Sequence, residues 1–295
     1  MARVTAAGST LALLGADSVF AQTNTATRFK IGGFTKPFQD LNFENTADVV
    51  AEVGWDGVEC PVRRGGQVLP EKVEDDLPRL VEALKKRNLE IFTIATDIHN
   101  ASDPLTEKVL RTAARLGIKI YRLASLHYDL TRPIPPQLEK FKADLKELQA
   151  LNQELGLCAA YENHSGSDYV GAPVWDVYGM IKDFDPKQYG FCFDIAHATI
   201  EGGSDWKIQL NLIESRLSAV YVKDFYWQKG SKAWTSHWCP LGEGMVDPAF
   251  FQRLAKTGFR GPIIQHHEYP LGAGKNMIAL LKQDRETLRK LLPAV

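Results

Sequence analysis

Short runs rich in β-branched and aromatic residues alternate with longer amphipathic segments from residue 28 onward. The short runs predict strands at residues 29–34, 56–60, 90–96, 119–124, 158–162, 190–194, 218–222 and 262–267. Between them, apolar positions recur at spacings of three and four, which predicts helices that include 43–53, 77–87, 105–116, 137–155 and 248–256. This alternation is typical of parallel strands joined by crossover helices.

Several of the predicted helices end in the same way. A Gly or Asn comes directly before an apolar residue at Gly54, Asn88, Gly117, Gly156 and Gly258. Each is predicted to adopt the left-handed conformation that closes an α-helix, after which the chain enters the next strand. The recurrence of this ending indicates one β/α unit repeated along the chain.

The repeat fits either an open doubly wound sheet or a closed barrel. An open sheet usually carries a glycine-rich phosphate loop after its first strand, but the segment 32–36 (GGFTK) has neither the GxGxxG nor the GxxxxGK spacing. We therefore predict an α/β fold, a single (β/α)8 TIM barrel over residues 28–295. The long connection 226–248 is predicted to be an active-site loop.

Composition and charge narrow the classes of function. Apolar residues make up 44% and charged residues 24% of the 295-residue chain, which is enough to bury a large core in one domain. Lys and Arg total 35 and Asp and Glu total 36, so the net charge of -1 gives no electrostatic reason to expect a nucleic-acid partner. Charged residues interrupt every apolar stretch before the roughly 20 residues that a membrane span needs, so no membrane partner is expected. The sequence allows a homo-oligomer but does not decide the oligomeric state.

Residues 1–27 are predicted to be an export signal. Arg3 precedes a small and apolar run, and the segment 18–21 (SVFA) resembles a small-residue cleavage site. The cysteines show no CxxC spacing and are interpreted as buried thiols, which is less typical of an oxidising compartment: Cys60, Cys158, Cys192 and Cys239. We expect an exported, periplasmic protein, with a cytoplasmic location as the alternative.

Polar residues gather where the predicted strands end. In a barrel these ends converge on one mouth, where the active site is built. The residues concerned are Glu59, Asp97, His99, Arg122, His127, Glu162, His164, Asp194, His197, Lys223, Asp224, His266 and Glu268. Any one of them alone is more often a cap or an exposed side chain. Burying many carboxylates around one cavity is costly unless a cation neutralises them, so the set favours a divalent metal with oxygen and nitrogen ligands.

Five short segments stand out in the second half of the chain. They are YENH at 161–164, FDIAH at 193–197, VKDF at 222–225, PLGEG at 240–244 and GPIIQHHE at 261–268. In this order they resemble the sugar phosphate isomerase/epimerase family of the xylose isomerase-like barrel superfamily, and the resemblance extends over residues 28–292. It implies an enzyme that acts on a sugar with one divalent ion, Mn²⁺, Co²⁺, Mg²⁺ or Zn²⁺.

The resemblance also implies a ligand set. Ketose 3-epimerases and inosose dehydratases of this superfamily hold their ion with a Glu after strand five, an Asp after strand six, a His in strand seven and a Glu after strand eight. Glu162 and Asp194 match the first two, but Tyr221 stands where the His belongs. An ungapped reading puts His266 at the last Glu position, with Glu268 two residues later. The predicted metal ligands are therefore Glu162, Asp194, His266 and Glu268; a degenerate site is the alternative.

The same resemblance implies proton abstraction next to a carbonyl, as in a sugar isomerase or epimerase. The predicted catalytic residues are Glu162, Glu268, His197 and Lys223. The predicted substrate-binding residues are Glu59, Arg122, His164 and Trp227. A free sugar or keto-sugar is the expected small-molecule partner.

Three alternatives remain at this point. A keto-sugar lyase or dehydratase uses the same enolate step, and a sugar-binding barrel without turnover would tolerate the changed ligand positions. Cleavage of abasic DNA occurs in the same superfamily, but it needs a richer His cluster and a basic surface that this sequence lacks.

Overall fold

The predicted strands form a closed parallel barrel in the computed structural model, which describes residues 29–293. The barrel strands are β1 (Ile31–Phe34), β2 (Gly57–Val62), β3 (Glu90–Thr96), β4 (Ile120–Arg122), β5 (Cys158–Glu162), β6 (Tyr189–Asp194), β7 (Leu217–Val222) and β10 (Ile263–Gln265); β8 (Asp224–Lys229) and β9 (Trp234–Cys239) pair with each other. Strand β10 pairs with both β7 and β1, which closes the ring. The predicted barrel is confirmed, and each predicted run overlaps its strand.

Helices surround the barrel. They are α1 (Phe43–Val53), α2 (Val73–Lys85), α3 (Pro104–Arg115), α4 (Ile134–Glu147), α5 (Gln149–Leu155), α6 (Trp175–Ile181), α7 (Ile195–Gly202), α8 (Trp206–Ile213), α9 (Ala249–Ala255) and α10 (Lys275–Leu291). Each long helix turns an apolar face inward; α2, for example, buries Leu77, Leu80 and Leu84. Burying such side chains stabilises the fold by about 1.5–3 kcal/mol each. The single helix predicted at 137–155 is instead divided into α4 and α5.

The predicted helix endings are confirmed by the backbone. The φ angles are 83° at Gly54, 86° at Gly117, 62° at Gly156, 77° at Gly258 and 58° at Asn88. At the first of these, the Gly54 N–H donates to the carbonyl oxygens of Val50 and Ala51 at 3.1 and 3.0 Å. The chain then turns directly into Trp55, which is buried beneath the barrel strands.

The inside of the barrel is packed, so it is a core and not a channel. Its interior cluster includes Phe34, Phe92, Ala95, Ala160, Cys192, Ala219, Tyr221 and Ile264. Phe92 fits between two strands only because glycines face it: a Cβ at Gly32 or at Gly57 would lie 2.8 Å from the Phe92 ring. Side chains at the C-terminal ends of the strands therefore rest on a rigid floor.

The connection after β7 departs from the prediction. Instead of an irregular loop, it contains the antiparallel β8–β9 hairpin, whose register pairs Phe225 with Trp238. The Asp224 carboxylate anchors its base by accepting backbone N–H groups of Phe225 and Val246 on Oδ1 (2.8 and 3.0 Å) and of Gly242 and Gly244 on Oδ2 (2.9 and 3.1 Å). This anchor holds the hairpin beside the barrel mouth.

The predicted leader, residues 1–27, lies outside the described residues. Within 29–293, no helix has the length and apolar character needed to cross a membrane.

Candidate metal and active site

The C-terminal end of the barrel collects charged side chains from successive strands. Glu162 and Asp194 are the last residues of β5 and β6, and Arg122 is the last residue of β4. Lys223 and His266 follow directly after β7 and β10, and all five side chains are buried. The strand ends therefore bring together the residues that the sequence pattern singles out there.

Three of these residues form a group that could hold a metal ion. Glu162, Asp194 and His266 each offer one ligand atom, and the three atoms lie within 4.8 Å of one another. Among residues 29–293, Oδ2 of Asp194 has no hydrogen-bond partner although it is fully buried. Leaving a buried carboxylate oxygen without a hydrogen bond is unfavourable, and two carboxylates with an imidazole suit a divalent cation. The residues present therefore fit the predicted ion.

Glu59 lies at the centre of one half of the mouth, which we name the Glu59 cluster (Glu59, Arg122, Tyr221 and His266). Oε1 of Glu59 accepts from the Tyr221 hydroxyl at 2.8 Å and lies 3.2 Å from Nε of Arg122. Its Oε2 lies 2.7 Å from Nε2 of His266. Burial alone would raise the pKa of Glu59, but the charge of Arg122 and the hydrogen bonds from His266 and Tyr221 outweigh it and lower this pKa to about 2.

Glu59 was expected to close β2, and this expectation is corrected; its predicted contact with substrate stays a prediction. Strand β2 continues to Val62, so Glu59 lies in the strand interior and has no exposed surface. Both of its carboxylate oxygens are engaged by protein groups. Glu59 supports its neighbours from below the mouth.

His266 is fixed by this support. Its ring packs between Phe34 and Tyr221, with centroids 4.8 and 4.2 Å away. Burial lowers the pKa of His266, so the ring is neutral and donates its single N–H, from Nε2, to Glu59. The geometry therefore assigns the lone pair to Nδ1, which lies 3.8 Å from Oε1 of Glu162. A carboxylate behind a histidine orients metal ligands in this way.

Arg122, predicted to bind substrate, is buried and engaged with two carboxylates. It forms ion pairs with Glu59 and Glu162. Its guanidinium also lies over the rings of Phe34 and Tyr221, at 5.3 and 5.7 Å from their centroids. Arg122 therefore neutralises the floor of the site.

The other half of the mouth we name the Asp194 cluster (Asp194, His197, Lys223 and Glu268). Oδ1 of Asp194 caps helix α7 by accepting the His197 N–H at 2.9 Å. Its Oδ2 lies 3.3 Å from Nζ of Lys223 and 4.0 Å from Nε2 of His197. The Lys223 contact is close enough for an ion pair but lacks hydrogen-bond geometry, and Nε2 of His197 also has no partner among residues 29–293.

Glu268 stands at the rim of this cluster. Its side chain is 27% exposed, and Oε1 lies 3.3 Å from Nζ of Lys223. Burial would raise the pKa of Glu268, but the charges of Lys223 and Lys36 lower it to about 2. Glu268 is outside the group of three close ligand atoms.

His164 and His197 stack at the edge of the Asp194 cluster, with ring centroids 3.8 Å apart. Nδ1 of His197 lies 2.8 Å from the Ser165 hydroxyl. Burial, followed by the charge of Lys223, lowers the pKa of His164 and holds that of His197 well below its usual range. Both rings are therefore neutral.

The hairpin carries both Trp227, which is predicted to bind substrate, and Trp238. Trp227 packs edge-on against Phe225, with centroids 6.0 Å apart. Trp238 instead lies 5.5 Å from the His197 ring and 4.7 Å from Nζ of Lys223. Its pairing with Phe225 puts it nearer the barrel than Trp227, a signal available only once the hairpin register is known.

Two further residues were missed by sequence reasoning. Asn163 holds β5 and β6 together, since its amide donates to the Asp194 carbonyl at 2.9 Å and accepts the Asp194 N–H at 2.8 Å. Ser165 orients His197. Asn163 lies within the segment 161–164 and Ser165 follows it directly, but the partners of both residues become known only from the fold.

Comparison with protein families gives one match. The model of the xylose isomerase-like TIM barrel family matches residues 47–291. No curated protein matches the sequence.

Solved structures with similar folds include several sugar epimerases. A D-psicose 3-epimerase determined in the presence of D-fructose is 14% identical, with a TM-score of 0.69 over 90% of this chain and 100% of that one. A 3-keto-D-glucoside 4-epimerase from E. coli is 17% identical, with a TM-score of 0.68 over 89% and 100%. A barrel protein from Mycobacterium smegmatis in complex with magnesium is 17% identical, with a TM-score of 0.65 over 89% and 96%. At these identities the likeness shows the fold.

Proposed function

The chain belongs to the xylose isomerase-like TIM barrel family, and from that premise we propose that it is a divalent-metal-dependent sugar isomerase or epimerase. The observation that carries the proposal is the buried group of Glu162, Asp194 and His266, whose ligand atoms lie within 4.8 Å of one another. Barrels of similar fold are named as epimerases of psicose and of a keto-glucoside, and another is a magnesium complex. These names support a sugar substrate and a metal.

Charge supports a dication at this position. Glu59, Glu162, Asp194 and Glu268 carry four negative charges, whereas Arg122 and Lys223 carry two positive charges. We propose that Glu162, Asp194 and His266 hold the ion. When bound, a divalent ion would polarise the carbonyl and hydroxyl oxygens of the sugar.

Glu268, predicted both as a ligand and as a proton carrier, is assigned to proton transfer. It is the carboxylate of the site that retains exposure at the rim, where a sugar can reach it. The charges of Lys223 and Lys36 keep Glu268 ionised at neutral pH, so its carboxylate is free to accept a proton. Glu162, which forms an ion pair with Arg122, is the second carboxylate predicted to transfer a proton.

Lys223 and His197 are assigned to the substrate oxygens. The Lys223 ammonium, 3.3 Å from Glu268, can stabilise negative charge that develops on an oxygen when the neighbouring carbon loses its proton. With the Ser165 hydroxyl donating to Nδ1, His197 carries its hydrogen on Nε2 and can donate it to the sugar. His164 and Trp238 line the same side of the mouth.

The test combines metal analysis with hydrogen exchange. Metal-loaded protein is incubated in D₂O with D-psicose, D-fructose or L-ribulose, and deuterium at the carbon next to the carbonyl is measured. We expect incorporation by the wild type and its loss in Glu268→Gln. The control is Asp97→Asn, an exposed carboxylate at the same end of the barrel.

Absence of deuterium from every sugar, in protein with one bound ion per chain, would contradict the proposed proton abstraction. Product analysis separates the remaining chemistries, because an epimerase returns an isomer whereas a dehydratase releases water.

Export remains a prediction, and N-terminal sequencing of protein from the native host tests it: retention of residues 1–27 would contradict export.

A further inference from the structure

Arg63 is a cation beside the mouth that has no hydrogen-bonded acid partner among residues 29–293. It directly follows the last residue of β2, at the mouth end of the strand, and is half-buried. Within residues 29–293, its guanidinium makes no hydrogen bond or ion pair. The nearby Asp97 carboxylate accepts instead from the backbone N–H of Arg64 at 2.8 Å.

The position of Arg63 connects it to the metal group. Its guanidinium lies 5.6 Å from the centroid of the Phe34 ring. The same ring stacks on His266, with centroids 4.8 Å apart, and lies 5.3 Å from the guanidinium of Arg122. Arg63 therefore lies at the rim directly beside the site, separated from its floor by one aromatic ring.

Partial burial without a partner is unfavourable for a cation. Burial, followed by the charge of Arg122, lowers the pKa of Arg63, yet an arginine keeps its charge at neutral pH. A group in this state gains free energy when an anion supplies the missing hydrogen bonds.

Lys36 adds a second cation on the same side. It lies two residues beyond the end of β1, is exposed, and has no side-chain hydrogen bond or ion pair within 29–293. Because it follows β1 at the mouth end of that strand, close in sequence to Phe34, its ammonium adds positive charge on the side of the mouth where Arg63 lies. Asp97, Glu59 and Glu268 act on Arg63 electrostatically, and a divalent ion would balance the buried carboxylates among them.

We propose that Arg63 binds an anionic substituent of the sugar, a phosphate or a carboxylate, with Lys36 contributing positive charge. This inference rests on the proposed function and names its substrate class as acidic keto-sugars. Arginine suits the task because its planar fork of N–H donors matches carboxylate and phosphate oxygens. The other two cations of the mouth, Arg122 and Lys223, are already paired with carboxylates.

The experiment compares matched ligands on the metal-loaded protein by calorimetry. The probes are D-fructose, D-fructose 6-phosphate and the keto-uronate D-fructuronate, which differ in the presence and kind of the anionic group. The variants are Arg63→Gln and, as a matched control, Arg64→Gln, which removes the neighbouring exposed arginine. Thermal melting checks that each variant is folded.

We expect the wild type to bind one of the two anionic sugars more tightly than D-fructose. Arg63→Gln should weaken that binding on the order of 10-fold or more, because hydrogen bonds to charged groups are lost, and should leave D-fructose binding unchanged. Arg64→Gln should behave as the wild type. Whether the phosphate or the carboxylate sugar is preferred identifies the anion.

Three outcomes overturn the inference alone, and the first two are D-fructose binding as tightly as both anionic sugars and Arg63→Gln keeping the wild-type preference. The third is an equal loss of affinity for the anionic sugar in Arg64→Gln, because the overall positive charge of the loop, and not a contact with Arg63, would then explain the preference. Failure of all three sugars to bind, together with no deuterium exchange, would contradict the proposed function itself.

Discussion

The Glu59 cluster and the Asp194 cluster lie side by side at the mouth, and each contains a buried carboxylate, a cation and a histidine. In the first, hydrogen bonds from Tyr221 and His266 occupy both oxygens of Glu59, and Arg122 adds an ion pair. In the second, Oδ2 of Asp194 and Nε2 of His197 have no hydrogen-bond partner among residues 29–293. The comparison indicates that the two clusters have different roles. The Glu59 cluster positions the ligand residue His266, whereas the Asp194 cluster offers the unsatisfied groups that can bind an ion or a substrate.

The largest expected effect comes from changing the unsatisfied carboxylate. Asp194→Asn keeps the acceptor that caps α7 but removes the negative charge, so metal affinity should fall by about 100-fold or more, beyond a typical loss for a supporting residue. Metal content by mass spectrometry and calorimetric titration measure it. Wild-type metal content in this variant would remove Asp194 from the ligand set.

The next effect tests the histidine that the Glu59 cluster positions. His266→Ala should weaken metal binding on the order of 10 to 100-fold without unfolding the barrel. His267→Ala is the matched control, because His267 faces the helical layer and lies 3.3 Å from Asp284. Equal metal content in wild type and His266→Ala would exclude Nδ1 of His266 as a ligand.

A third prediction separates support from binding through pH. The folded-state pKa of Glu59 is about 2, below its ordinary value of 4.5, so its contribution to stability is present above pH 4.5 and is lost as the pH falls toward 2. The shift corresponds to about 3 kcal/mol. Glu59→Gln should therefore melt lower than the wild type at neutral pH, and the difference should shrink in acid. A difference that does not change with pH would contradict this assignment.

The smallest effect is expected at Tyr221. Tyr221→Phe removes one hydrogen bond to Glu59 and should cost about 1–2 kcal/mol of stability, while metal content stays close to the wild-type value, since Arg122 and His266 still hold the carboxylate. Chemical unfolding and metal analysis measure the two quantities. Loss of the metal in this variant would mean that the hydroxyl itself belongs to the site.

Local signals made most of the barrel predictable from sequence. The runs of β3 and β5 and the helix α1 match their predicted bounds, because apolar periodicity and flanking Gly or Asn residues act over a few positions. The hairpin was missed because its tip, residues 230–233 (GSKA), lacks the Asn-Gly or Asp-Gly pair that marks tight turns. Its exposed strands also lack a clear apolar face.

The site was predictable as a set of residues but not as a set of contacts. Strand ends identified the members of the mouth, whereas the place of Glu59 depends on the register between β2 and β3. That register shifts at Val58 and Glu59, so that Glu59 pairs with Thr93 and Phe92 is skipped. Such irregularities redirect side chains and have no signature in a single sequence.

The anchor at Asp224 bears on how this protein can diversify. Its four acceptor contacts go to backbone N–H groups, which every residue except proline provides, so the attachment of the hairpin does not depend on the side chains at its tip. Two of the four positions do require glycine: a Cβ at Gly244 would lie 2.3 Å from Oδ1 of Asp224, and Gly242 has a left-handed φ of 88°. Insertions and exchanges between Lys229 and Trp234 can therefore remodel the entrance without disturbing the barrel, which makes the tip a natural position for library design.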